Sequence, residues 1–102
     1  MNEFQPCTYI MASGRRGHIY VGVTSNLIQR AYQHRHKLID GFSKQKNTLL
    51  LVRYEIFGTM EQAIAREEQL KNWHRDWKIH LVEGDNTDWT DLAPHLGLGP
   101  LC

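Results

Sequence analysis

Two short apolar runs, Cys7 to Ala12 and His18 to Thr24, are separated only by Ser13-Gly14-Arg15-Arg16-Gly17. That link holds two glycines and no hydrophobic side chain, so it reads as a turn. The second run alternates Ile19, Val21 and Val23 with Tyr20, Gly22 and Thr24, the period of a half-buried strand. So short a connection makes an antiparallel hairpin the default. A sheet is therefore seeded in the first quarter of the chain, and the later residues must extend and cover it.

The remaining elements can be read from their boundaries. Thr24-Ser25-Asn26 offers three N-cap residues, and a helix is expected from Leu27 to about Leu38, ended by Asp40-Gly41 and followed by a basic loop through Lys46. Thr48 to Phe57 carries Leu49, Leu50, Leu51, Val52, Tyr54, Ile56 and Phe57, which predicts a buried strand at the centre of the sheet. Thr59-Met60-Glu61-Gln62 fits a capping box and opens a second helix to about Trp73. A third is expected from about Asp76 to Glu83, with Trp77 and Leu81 on one face. The tail after Gly84 docks through Trp89 and then frays. The order β-β-α-β-α-α predicts a small α/β sandwich on three strands, a single domain over residues 1–92 with a flexible tail at 93–102.

With 102 residues the chain can build one core and not two. No apolar run approaches the ~20 residues of a membrane helix, and no charged leader precedes an apolar stretch. Cys7 and Cys102 lie at opposite ends, which excludes a disulfide framework or Cys-rich zinc site and suits the reducing cytoplasm. The formal net charge of +1 conceals a polarity. Residues 14–53 hold eight basic side chains (Arg15, Arg16, Arg30, Arg35, Lys37, Lys44, Lys46 and Arg53) against Asp40 alone, whereas residues 54–102 hold four against nine acids. Such a segment is either a solvated face or the footprint of a polyanion.

Three local patterns bear on chemistry. In the second helix Met60, Ala63, Ile64, Glu67, Leu70 and Lys71 share one stripe, so Glu67 faces inward while Glu68 is rotated about 100° off it. An inward carboxylate must be paired, here with Arg53 or Arg30, or bound to a metal. In the first helix Arg30 and His34 project side by side, a guanidinium and an imidazole suited to a phosphate or to a solvent-facing flank. In the strands, Tyr9 and Tyr20 are neighbours, and Gly22 marks a close approach by a ligand or another backbone.

These residues together resemble the GIY-YIG nucleases. Cys7-Thr8-Tyr9 stands where the family's first motif ends in tyrosine, with Cys7 and Thr8 replacing glycine and isoleucine, and Tyr20-Val21-Gly22 matches the second. Arg30 falls at the family's catalytic arginine, His34 one turn later, and Glu67 at its metal-binding glutamate. The wider wording resembles small stand-alone bacterial members: Tyr20-Val21-Gly22-Val23-Thr24-Ser25, Gly41-Phe42-Ser43-Lys44, Trp73-His74-Arg75-Asp76-Trp77-Lys78 and Asp88-Trp89-Thr90-Asp91-Leu92. The family's homing and repair members append a separate DNA-binding domain, for which this chain has no room.

The resemblance implies phosphodiester hydrolysis in DNA, with single-stranded, branched and RNA substrates all open, and one Mg²⁺ ion, replaceable by Mn²⁺, on Glu67. Arg30 would hold the non-bridging oxygens as charge builds. Tyr9, with Tyr20 in support, would deprotonate the attacking water, and His34 would accept the proton. A free phenol ionises near pH ~10, so that base needs help from nearby positive charge. Gly22, Lys44, Lys46, Arg15 and Arg35 are the expected nucleic-acid contacts. No membrane and no obligate protein partner is expected. The alternative is a non-catalytic nucleic-acid-binding module on the same scaffold.

Overall fold

A computed structural model describes residues 5–38, 41 and 45–97. Strands β1 (Cys7–Ala12), β2 (Ile19–Thr24) and β3 (Leu50–Ile56) form one antiparallel sheet in the order β2-β1-β3. Helix α1 (Leu27–Arg35) follows the hairpin, and α2 (Met60–Asn72) and α3 (Arg75–Asp85) follow β3. The α/β sandwich on three strands is the one the periodicities predict. None of the described helices is long and apolar enough to cross a membrane.

The central strand is β1, not β3. All six β1 residues are buried and pair on both sides, Tyr9 opposite Gly22 on β2 and Tyr54 on β3. The apolar run in β3 misleads because its outer edge is covered by the C-terminal segment rather than by a strand. Leu92 donates its backbone N–H to the Leu51 carbonyl at 2.7 Å, Asp91 accepts from the Leu51 N–H, and the Asn86 side-chain amide donates to the Val52 carbonyl. Covering an edge in this way satisfies its backbone groups and protects it from further pairing. Leu51 and Val52 point to opposite faces by strand alternation, so both are buried, and a bulge beside Ile10 and Met11 leaves Val52 unpaired in the register.

The two faces have different covers. Ile10, Val21 and Val52 meet Leu70 of α2, Val82 of α3 and Trp89. Cys7, Tyr9, Met11 and Leu51 meet Leu27 of α1 and Ala93. Local capping fixes both site-bearing helices. Asn26 accepts from the Gln29 N–H at α1, and Thr59 accepts from the Gln62 N–H at α2. Helix α1 stops at Arg35, short of the expected Leu38, because Lys37 takes a positive φ of 56° and turns the chain aside. Helix α3 instead runs through Gly84 to Asp85. Trp89 docks as expected, but order continues past it: Ala93–Leu96 forms a 3-10 turn with Ala93 buried. Asp40, Lys44 and residues 98–102 lie outside the described residues.

Candidate active site

Alternation in β1 and β2 decides which side chains meet α1. Tyr9 and Tyr20 point to the same face as Leu27, and their rings lie 6.3 Å apart between centroids. His34, two turns into α1, packs edge-on against both, 5.5 Å from Tyr9 and 4.9 Å from Tyr20. Tyr9 is only 1% exposed and its hydroxyl lies 2.9 Å from His34 Nε2. Gly22 makes this arrangement possible. A Cβ there would overlap the Tyr9 ring and hydroxyl, so the side chain that approaches Gly22 closely is Tyr9.

Arg30, one turn before His34, acts on the same pair. Burial raises the Tyr9 phenol above its ordinary value, while the Arg30 charge works against that rise. Burial, and then the same charge, lower His34 to about 4. Both groups are therefore neutral at pH 7. Arginine only donates, so the arrangement that satisfies all three has the Tyr9 hydroxyl donating to a neutral imidazole. Arg30 has no carboxylate partner among the described residues, which leaves its guanidinium open to an anion. Cys7 lies nearby, but burial pushes its thiol up to about 12, which removes it as a nucleophile at neutral pH.

Glu67 belongs to the other layer. Helix α2 lies across β2 and β1 on the face opposite Tyr9 and is fixed there by the Thr8 hydroxyl, which donates to the Ala63 carbonyl at 2.6 Å. The buried line of α2 is Ala63 and Leu70; Met60 and Ile64 of the expected stripe are exposed. Glu67 flanks that line with its side chain 16% exposed, and Glu68 faces solvent, so the asymmetry between the two glutamates holds although the stripe is narrower. Neither expected arginine pairs with Glu67. Its partner is Lys71, 3.3 Å away and half exposed. Arg53 binds Glu55 and Asp85 instead.

The structure thus brings Tyr9, Tyr20, Arg30 and His34 together and sets Glu67 on a neighbouring helix, with no direct bond to them. Of the expected nucleic-acid contacts, Arg15 and Lys46 are exposed, and Lys44 lies outside the described residues. Arg35 turns inward to Asp91, the two side chains only 10% and 13% exposed. Its role is to tie α1 to the C-terminal segment, and the acid in Asp88-Trp89-Thr90-Asp91-Leu92 is the sequence signal for that tie. Sequence reasoning also misses the pairing of Lys71 with Glu67, because it places Lys71 only as part of an apolar stripe.

A sheet with this strand order, two motif tyrosines against one helix and a glutamate on the next defines a nuclease domain of the GIY-YIG type. The GIY-YIG catalytic domain family matches this chain over residues 5–80, and the chain belongs to that family. It is 28% identical over 65 residues to a UPF0213 protein of Staphylococcus haemolyticus, covering 64% of this chain and 79% of the relative. A UPF0213 protein of Haloquadratum walsbyi is 29% identical over 70 residues, covering 69% and 78%. No solved structure matches it.

Proposed function

We propose that the chain is a divalent-metal-dependent endonuclease that hydrolyses phosphodiester bonds in DNA. The observation that carries this reading is the Arg30 guanidinium, without an acid partner among the described residues, beside a neutral Tyr9–His34 pair and a partly exposed Tyr20. Arg30 grips the non-bridging oxygens of the scissile phosphate, and its fork tightens as negative charge builds there. Tyr20, rather than the Tyr9 favoured on sequence, is the base: as the phenolate, its own proton released to solvent, it takes the proton of the attacking water at Oη. Tyr9 is buried and its hydroxyl is committed to His34, so it holds the imidazole and the floor of the site in place. The water oxygen forms a bond to phosphorus as the bond to the 3′-oxygen breaks.

Glu67 fits one Mg²⁺ or Mn²⁺ ion. It is a single hard oxygen donor on a solvent-reached flank, and no group of three acids, histidines or cysteines competes with it among the described residues. Mg²⁺ keeps several waters and needs few protein ligands. Such an ion supplies Lewis-acid stabilisation of the leaving oxygen. Lys71 already shows that a cation is welcome at this carboxylate.

The test is cleavage of labelled single-stranded, branched and duplex DNA and of RNA, with Mg²⁺, Mn²⁺ or EDTA, by the natural chain and by Arg30→Lys. Metal-dependent cleavage that falls roughly 100-fold or more in the lysine variant, with melting unchanged, is expected, because a point charge cannot replace a fork. Salt-sensitive binding without cleavage would identify a non-catalytic binding module instead.

A further inference from the structure

Where α2 ends and α3 begins, the molecule presents an aromatic surface for which the proposed chemistry has no use. Trp77 is 56% exposed, the largest side chain offered to solvent among the described residues. Trp73 meets its ring nearly edge-on at 5.7 Å, and His74 does so at 6.0 Å. Trp73 is itself held by the Arg66 guanidinium, 5.1 Å from its centroid. A shallow hollow of about 350 Å³ opens here, lined by Trp73, Trp77, His80 and Leu81.

Basic residues lie on the neighbouring side of α3 and at the end of α2. Lys78 follows Trp77 about 100° around α3, and Arg75, one turn earlier, donates its guanidinium to the Arg16 and Gly17 carbonyls at the hairpin turn. Lys71 lies in the last turn of α2. Burial, then the charges of Arg75 and Lys71, lower Lys78 from its ordinary value, so both cations lie within reach of Lys78. Lys78 has no carboxylate partner among the described residues, and the acid on the same turn, Asp76, is exposed. Charged residues are depleted from the centres of protein–protein interfaces, whereas aromatic rings between cations are the usual makeup of a surface that holds unpaired bases.

We propose that this surface is a nucleobase-stacking platform: an unpaired base stacks on Trp77 in the hollow, and the flanking phosphates lie along Lys71 and Lys78. The proposal rests on the nuclease reading and deepens it, because bases inside a duplex cannot offer a face to a ring. Its position fits. Trp73 follows Glu67 by six residues, about 9 Å along a helix axis, so a strand passing Glu67 delivers its neighbouring nucleotides to the platform.

The test compares a labelled thymidine oligonucleotide with an abasic strand of the same length and charge, bound in EDTA to the natural chain, Trp77→Ala and Trp77→Phe. Trp77→Ala should weaken the thymidine strand roughly 5- to 100-fold, leave the abasic strand unchanged, and be largely rescued by phenylalanine. An equal effect on both strands, or on neither, overturns the platform while leaving the nuclease reading intact. A dimer in sedimentation that dissolves in Trp77→Ala would instead make the surface a contact between copies. Failure of the folded natural chain to bind either strand removes the nucleic-acid reading and the platform with it.

Discussion

The two faces of the sheet handle charge in opposite ways. On the α2–α3 face the arginines that approach the sheet are answered. Glu55 accepts from Arg53 at 2.9 Å and from Arg66 at 2.8 Å, Arg53 also reaches Asp85 at 2.6 Å, and Arg66 reaches Gln69. On the α1 face Arg30 stands beside two neutral groups and, among the described residues, no acid. Closed charge networks hold a fold, whereas a guanidinium left open over a buried phenol and imidazole invites an anion. On the proposed reading the phosphate is gripped on the face whose electrostatics are incomplete, while the closed networks of the other face hold the fold.

Glu67 is the exception that breaks this division most sharply, since it sits on the closed face yet has a half-exposed lysine for its partner. Glu67→Gln should lower cleavage about 1000-fold or more, the scale of losing an ion worth several kcal/mol to the transition state. Its melting should stay close to that of the natural chain, because a pair with a half-exposed lysine contributes little. Glu68→Gln, on the solvent side, should change neither rate nor stability beyond about 0.5 kcal/mol. Cleavage assays and thermal melts on both variants check this, and equal loss of activity in the two would contradict the helix geometry.

The two tyrosines sharpen the comparison within the open face. Tyr20→Phe removes the reachable hydroxyl and should reduce cleavage by roughly 100-fold with little loss of stability, the lower end of the effect of removing a general base. Tyr9→Phe leaves His34 Nε2 without the phenol that lies 2.9 Å away, so it should cost about 1–3 kcal/mol of stability. Its effect on rate should be the smaller of the two. Single-turnover rates and melting curves separate them, and a reversed order of rates would return the base to Tyr9.

Much of the fold and half of the site are legible in the residues because they are local. A short bounded apolar run marks β1 and alternation marks β2, Asn26 and Thr59 mark the helix starts, and spacing brings Arg30 and His34 to one flank. What the sequence conceals is long-range. The apolar run in β3 looks like a central strand because nothing local reveals that residues 86–93 cover its edge. Gly22 reads as a place for a ligand because its cross-strand neighbour is known only once the register is. Tyr9 and Tyr20 are alike in composition, and only the layer formed by α1 buries one and leaves the other within reach of water. Arg35 likewise looks available until Asp91, 56 residues on, is seen to hold it.

The smallest expected effect probes the closed face by its pH dependence. Burial by itself would raise the Glu55 pKa, but the hydrogen bonds and charges of Arg66 and Arg53 outweigh it, and the carboxyl is held below its ordinary value of 4.5. A depressed folded pKa means that the unfolded chain binds the proton first as the solution is acidified. The stability contributed by Glu55 is thus fully present above pH 4.5 and is lost as the pH falls through the folded value. Glu55→Ala should cost about 1–3 kcal/mol at pH 7, softened because Arg53 keeps Asp85 and Arg66 keeps Gln69. The difference between variant and natural chain should shrink steadily on acidification below that point. Denaturant unfolding at a series of pH values measures it, and a gap that persists undiminished in acid would show that Glu55 contributes by packing rather than by charge.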